Sequence, residues 1–123
     1  MLDRSLAEKR VTELLTGFPP RVVEAYLAFA TSGDHAQLDI VVLGVLHFYL
    51  AKKPATPLED LPGTTRLIED LGCDSLTMMD MVFMVEGLFD AKIDDTELAK
   101  IATLDDLRVH LRAHLQAPGA PIA

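Results

Sequence analysis

"IEDLGCDSLTMMDMVFMVEGLFDAKI", residues 68–93, decides the fold. From Ser75 to Phe89 it is almost continuously apolar, a stretch of helical length opened by Asp74-Ser75 and preceded by Gly72. Asp and Ser are favoured helix N-caps, so the pair has a plain structural reading. It also sets one hydroxyl at a helix mouth, where the dipole and the first N–H groups favour an anion such as a phosphodiester. A serine nucleophile would need a base within reach, or the glycines of a nucleophile elbow, and "CDSLT" has neither. On these residues alone Ser75 reads first as part of a plain cap, with modification by another enzyme, which needs no base in this chain, as the alternative; no catalytic residue is expected.

Working outward, "IDDTELAKIATLDDL" (93–107) carries two further helix starts. Asp94 with Glu97 caps a short helical turn, and Thr103 with Asp106 caps a last helix bearing Leu104, Leu107, Val109, Leu111 and Leu115. Upstream, "KKPATPLEDLPGTT" reads as a long loop, its prolines and glycine ruling out regular structure. The segment from Leu38 to Leu50 is apolar nearly all round, opened by Asp34 with Gln37 as a capping box. Taken alone, its "DIVVLGVL" is equally compatible with a buried strand. Ser5 with Glu8 opens a first helix, which Gly17 and Pro19-Pro20 stop. A second runs from Pro20 to about Ala30. No stretch alternates with period two, so the expected class is all-α.

The gross numbers fit one soluble domain: 123 residues, half of them hydrophobic and a quarter charged. The net charge of −8 is uneven. Residues 58–107 hold thirteen acids and three bases, net −10, and this block contains Ser75. Such a face repels nucleic acid and steers basic protein partners. One cysteine, Cys73, excludes an internal disulfide and fits a reducing compartment. The longest apolar run, residues 40–51, is too short to span a bilayer. These features predict a cytoplasmic protein with no nucleic-acid partner and no membrane insertion. His110 and His114 have an i, i+4 spacing that suits a metal, but without an H-E-x-x-H context they read as groups matched to a helix C-terminus. No metal is expected.

The stretch "RLIEDLGCDSLTMMDMVFMVEGLFDAKIDDTELAKIATLDDL" resembles the acyl carrier protein family of fatty-acid and polyketide synthesis. The likeness rests on Glu69-Asp70-Leu71-Gly72, on Asp74-Ser75-Leu76, and on Glu86, Phe89, Asp90 and Ile93 at the family's spacing. The resemblance implies a four-helix bundle over residues 34–116 and a 4′-phosphopantetheine arm attached to Ser75 by a separate phosphopantetheinyl transferase. The arm would carry acyl thioesters between acyl-transferring and condensing enzymes. Asp74 would support the modification and its Mg²⁺. Leu76, Met79, Asp80 and Glu86 match positions that partner enzymes read, and Phe83 on the same helix, a departure from the family, is expected to add an apolar contact to them. An amino-acid cargo, or a carrier fold whose serine is never modified, are the competing functions. Asp74, rather than the His of many peptidyl carriers, favours the acyl cargo.

Two departures from the family raise expectations of their own. The helix from Ser75 offers only Asp80 and Glu86 as acids, among four methionines, and Phe83 and Leu88 look out of place on it. One helix of a small bundle cannot bury every side, so recognition should be more apolar than charged. The second departure is a helical extension, residues 1–33, ahead of the carrier helices, with a flexible tail at 117–123. Each extension helix has an apolar stripe, and Ile40, Leu43, Leu46 and Leu50 offer a strip to receive it. The extension should therefore fold back onto that helix. Pairing of the stripes between two chains as a dimer is the rival, and the expected state is a monomer or a weak dimer.

Overall fold

The computed structural model describes residues 4–115. The chain runs as α1 (Arg4–Leu14), α2 (Pro20–Ser32), α3 (His35–Tyr49), a 3₁₀ turn (Leu58–Asp60), α4 (Ser75–Phe89), α5 (Asp95–Leu98) and α6 (Leu104–His114). Among the described residues the only extended pairing is one antiparallel bridge, Arg66 to Thr103. The class is all-α, with α3 to α6 in the four-helix order and α1 and α2 as the two additional helices. The tail expected at 117–123 lies outside the described residues.

Local chemistry sets most boundaries. At α6 the capping box is complete: Thr103 Oγ1 accepts from the Asp106 N–H at 3.2 Å and Asp106 Oδ2 from the Thr103 N–H at 3.1 Å. Pro20 opens α2, where a missing N–H costs nothing, and Gly33 closes it in the left-handed region at φ 71°. The other expected caps need correction. Asp34 accepts from the Ala36 N–H, but its own N–H goes to Ser32 Oγ at 3.2 Å, so Gln37 does not complete a box. Asp94 precedes α5 without a side-chain cap bond. Ser5 lies inside α1 rather than before it. The proline-rich loop contains the 3₁₀ turn, which Pro57 enters at φ −56°.

The ambiguous segment is a helix because it is surrounded. α3 packs against α2, α4, the 3₁₀ turn and α6. Leu38, Val41, Val42, Leu43, Val45, Leu46 and Leu50 are all buried, and a helix apolar on every side belongs at the centre of a domain. α2 approaches α3 tightly at Gly44, where a Cβ would stand 2.5 Å from Val22 Cγ2. Gly44→Ala is therefore expected to lower stability by about 1–2 kcal/mol, overpacking outweighing the gain in helix propensity. The urea midpoint at unchanged slope reads this, and adding Val22→Ala should recover most of the loss. Equal stability of Gly44→Ala would mean that α2 yields at no cost.

The extension also reaches α4, which the sequence reading did not anticipate. Leu14 sits over Gly87, whose added Cβ would lie 3.2 Å from Leu14 Cδ1. The buried Tyr26 hydroxyl donates to the Leu88 carbonyl at 2.5 Å, and Arg10 pairs with Asp90 at 2.5 Å. Tyr26 and Phe29 both meet the Phe89 ring edge to face. Leu88 is thus not misplaced: it is fully buried at the end of α4 where α2 is anchored.

Candidate functional site

Ser75 is the first residue of α4 and is exposed. Asp74 caps the helix, Oδ1 accepting from the Thr77 N–H at 2.8 Å. That backbone bond holds the Asp74 carboxyl below its ordinary range, so it is ionised at neutral pH while remaining on the surface.

The chain leading to Ser75 is fixed by hydrogen bonds. The Leu67 N–H donates to the Ala102 carbonyl at 2.9 Å and the Leu104 N–H to the Thr65 carbonyl at 3.0 Å. These bonds tie the loop ahead of Ser75 to the start of α6. The Cys73 N–H then returns to the Leu67 carbonyl at 2.9 Å. Gly72 makes that return in the left-handed region at φ 69°, which a side chain would resist. Asp70 braces the turn by accepting from the Arg66 N–H at 2.8 Å and pairing with its guanidinium. Leu67 and Cys73 are buried beneath it. Ser75 therefore stands on an ordered pedestal, with open space around Gly72.

Burial, with the Asp74 charge a lesser cause, pushes the Cys73 thiol up to about 11. The thiolate is scarce at neutral pH, so a redox role is disfavoured. Cys73 should react with a thiol reagent at pH 7–8 at least a hundredfold more slowly than in denaturant. Equally fast labelling of the native protein would contradict this burial.

The recognition residues named from sequence divide. Leu76, Met79 and Phe83 are 67%, 51% and 64% exposed, a stripe at i, i+3 and i+7 of α4. Asp80 is half-buried beside it, close enough to Tyr49 to help raise that phenol, although burial is the larger cause. Glu86 turns inward: its Oε2 accepts from the Ile93 N–H at 2.8 Å and closes the turn after α4. Of the other methionines, Met81 is core, while Met78 and Met84 line its edge. The sequence reading passed over Ile68, which is 71% exposed on the loop that carries Ser75. The signal was available: an apolar residue amid "RLIED" outside any helical stripe.

His110 Nδ1 and His114 Nε2 both face Glu97 Oε2, at 3.2 and 3.4 Å, joining α5 to α6. Among the described residues no group of three or more His, Cys, Asp or Glu is placed to hold a metal ion. No helix among them is long and apolar enough to cross a membrane.

Residues 46–111, more than half of the chain, match the family model described as "Phosphopantetheine attachment site". An acyl carrier protein of Thermotoga maritima is 42% identical over 50 residues, which is 41% of this chain and 62% of that one. An acyl carrier protein of Desulforapulum autotrophicum is 33% identical over 61 residues, 50% of this chain and 79% of that one. The first of these relatives is thus matched over less than two thirds of its length. No solved structure matches the chain. An exposed serine on a braced loop, with an ionised cap and room around it, fits the covalently attached phosphopantetheine that these relationships imply. The chain belongs to the acyl carrier protein family, a phosphopantetheine-bearing helical bundle.

Proposed function

We propose that Ser75 is the attachment residue and that the protein carries acyl groups between enzymes of fatty-acid, polyketide or related lipid biosynthesis. The observation that carries this reading is the exposed Ser75 hydroxyl, set at the mouth of α4 by the Asp74 cap and followed by an exposed apolar stripe. When bound, phosphopantetheine supplies a flexible arm whose terminal thiol holds an acyl group as a thioester. This chain's part is to present, orient and be recognised. Asp74 keeps the first turn of α4 closed and offers a negative charge beside the hydroxyl, suited to a transferase that works with Mg²⁺. Three of the four histidines are engaged elsewhere: His47 with the Pro54 carbonyl, and His110 and His114 with Glu97. On this reading the protein is a carrier rather than a catalyst, as its family implies, and a cytoplasmic one. On this reading the carrier unit spans residues 34–116, and the extension ahead of it, residues 1–33, packs on it through α1 and α2.

Incubation with coenzyme A and a phosphopantetheinyl transferase tests the reading. The expected result is a mass gain of one arm per chain. A chain that gains nothing under conditions that load a known carrier would leave a carrier fold used for interaction alone.

Partner enzymes would read Leu76, Met79 and Phe83, with Asp80 on the rim and the acidic surroundings steering a basic-rimmed surface. Glu86 contributes through the turn it closes. Phe83→Ala should change stability by no more than about 0.5 kcal/mol. The same variant should weaken binding to the transferase or a condensing enzyme about tenfold or more, as loss of an aromatic anchor does. A stability loss of about 3–5 kcal/mol would instead make Phe83 a core residue.

A further inference from the structure

A cleft of about 190 Å³ lies between the start of α2, the middle of α3 and the 3₁₀ turn. Val22, Ile40, Leu43, Ala55 and Leu58 make its wall apolar. Arg21 and Glu59 are its charged groups, meeting through Nη1 and Oε1 at 2.8 Å. His47, also on the wall, is engaged through Nε2 by the Pro54 carbonyl at 2.8 Å. Arg21 and Val22 belong to the extension, ahead of the residues matched to the family model, so the extension supplies one side of the cleft. Neither Ser75 nor the loop leading to it lines the cleft, which therefore stands independently of the carrier reading.

The charged pair has bonding capacity to spare. The Glu59 side chain is only 17% exposed, yet Arg21 is its one ion-pair or hydrogen-bond partner among the described residues. A carboxylate offers about four lone-pair sites, and withdrawing it from water is costly unless donors reach it. Arg21 is 51% exposed and has no other such partner among the described residues, which leaves part of its donor fork for a second carboxylate. A cationic donor for Glu59 and an anionic acceptor for Arg21 thus suit the cleft side by side, next to an apolar wall.

We infer that the cleft binds a free α-amino acid with a branched aliphatic side chain. The ligand's ammonium donates to Glu59, its carboxylate accepts from Arg21, and its side chain lies against Val22, Ile40, Leu43 and Leu58. Head-group geometry agrees: the amino nitrogen and carboxyl carbon of an α-amino acid are about 2.5 Å apart, a spacing suited to two wall charges that already touch. Volume agrees as well. An apolar cavity of about 150 Å³ accommodates a six-carbon ring, so the side chain of valine, leucine or isoleucine fits with room for the head group.

The test titrates the full-length protein, carrying no arm, with L-leucine and follows its amides by NMR. Saturable shifts are expected at Val22, Ile40, Gly44 and Ala55. Isocaproate, which lacks the ammonium, and isoamylamine, which lacks the carboxylate, should each bind at least tenfold more weakly. Glycine, which keeps both charges without the side chain, should do the same. Arg21→Gln and Glu59→Gln should each weaken leucine at least tenfold, with a melting curve showing that each variant is folded. Arg21→Gln should leave isoamylamine binding within twofold, which a collapsed cleft would not. The inference is overturned if leucine gives no saturable shift at these amides, or binds no better than isocaproate, isoamylamine or glycine. Leucine affinity unmoved by both variants overturns it too. Loss of isoamylamine in Arg21→Gln would make the ion pair a structural clasp and overturn it likewise.

Discussion

A chain beginning at Asp34 is expected to melt at least about 12 °C below the full-length protein, or to be poorly soluble. The extension buries Ala7, Leu15, Phe18, Val22, Ala25, Tyr26, Phe29 and Ala30, and those residues cover parts of α3 and α4. Uncovering the equivalent of two buried leucines costs about 3–6 kcal/mol. For a domain of this size each kcal/mol moves the midpoint by about 4–8 °C. Removal also strips Arg10 from Asp90, and Tyr26 from the Leu88 carbonyl, at the end of the helix that Ser75 begins. Thermal unfolding and sedimentation of the shortened chain check this. A monomer of undiminished stability would make the extension a detachable arm and refute its packing role. A stable dimer at higher concentration would mean that the exposed stripes pair between chains.

Ser75→Ala should lose phosphopantetheine loading completely while folding normally. Alanine is compatible with the first helical turn, and the Asp74 carboxylate would still accept from the Thr77 N–H. The midpoint is expected to stay within about 0.5 kcal/mol of the unaltered protein. The complementary variant Asp74→Ala removes the cap and should cost about 1 kcal/mol, together with slower loading. If Ser75→Ala also unfolded the protein, its role at the helix mouth would be structural instead.

What the sequence disclosed was what local chemistry encodes. Asp74, Ser75 and the span to Phe89 stand as read, because a cap followed by an apolar run is a short-range signal. Thr103 with Asp106 is another, and both halves of that box form. Leu88 was illegible: its neighbour Tyr26 lies 62 residues earlier, so nothing near Leu88 announces the contact. Glu86 was read as an outward acid because its i+7 bond to Ile93 depends on how the chain turns at Asp90, φ 52°. The all-round apolar α3 left helix and strand open until its neighbours on several sides were known. His110 and His114 showed a spacing but not a partner, and Glu97 is brought to both by the fold rather than by periodicity.

The most direct test of Ser75 as the carrier residue is peptide fragmentation after loading. The full-length protein is incubated with coenzyme A and a phosphopantetheinyl transferase, digested, and the peptide spanning residues 67–92 is fragmented. The account predicts one added arm, located on Ser75 and on no other hydroxyl of the chain. An arm found on Thr77 or any other residue, or an unmodified peptide beside a control carrier that loads fully, would contradict it.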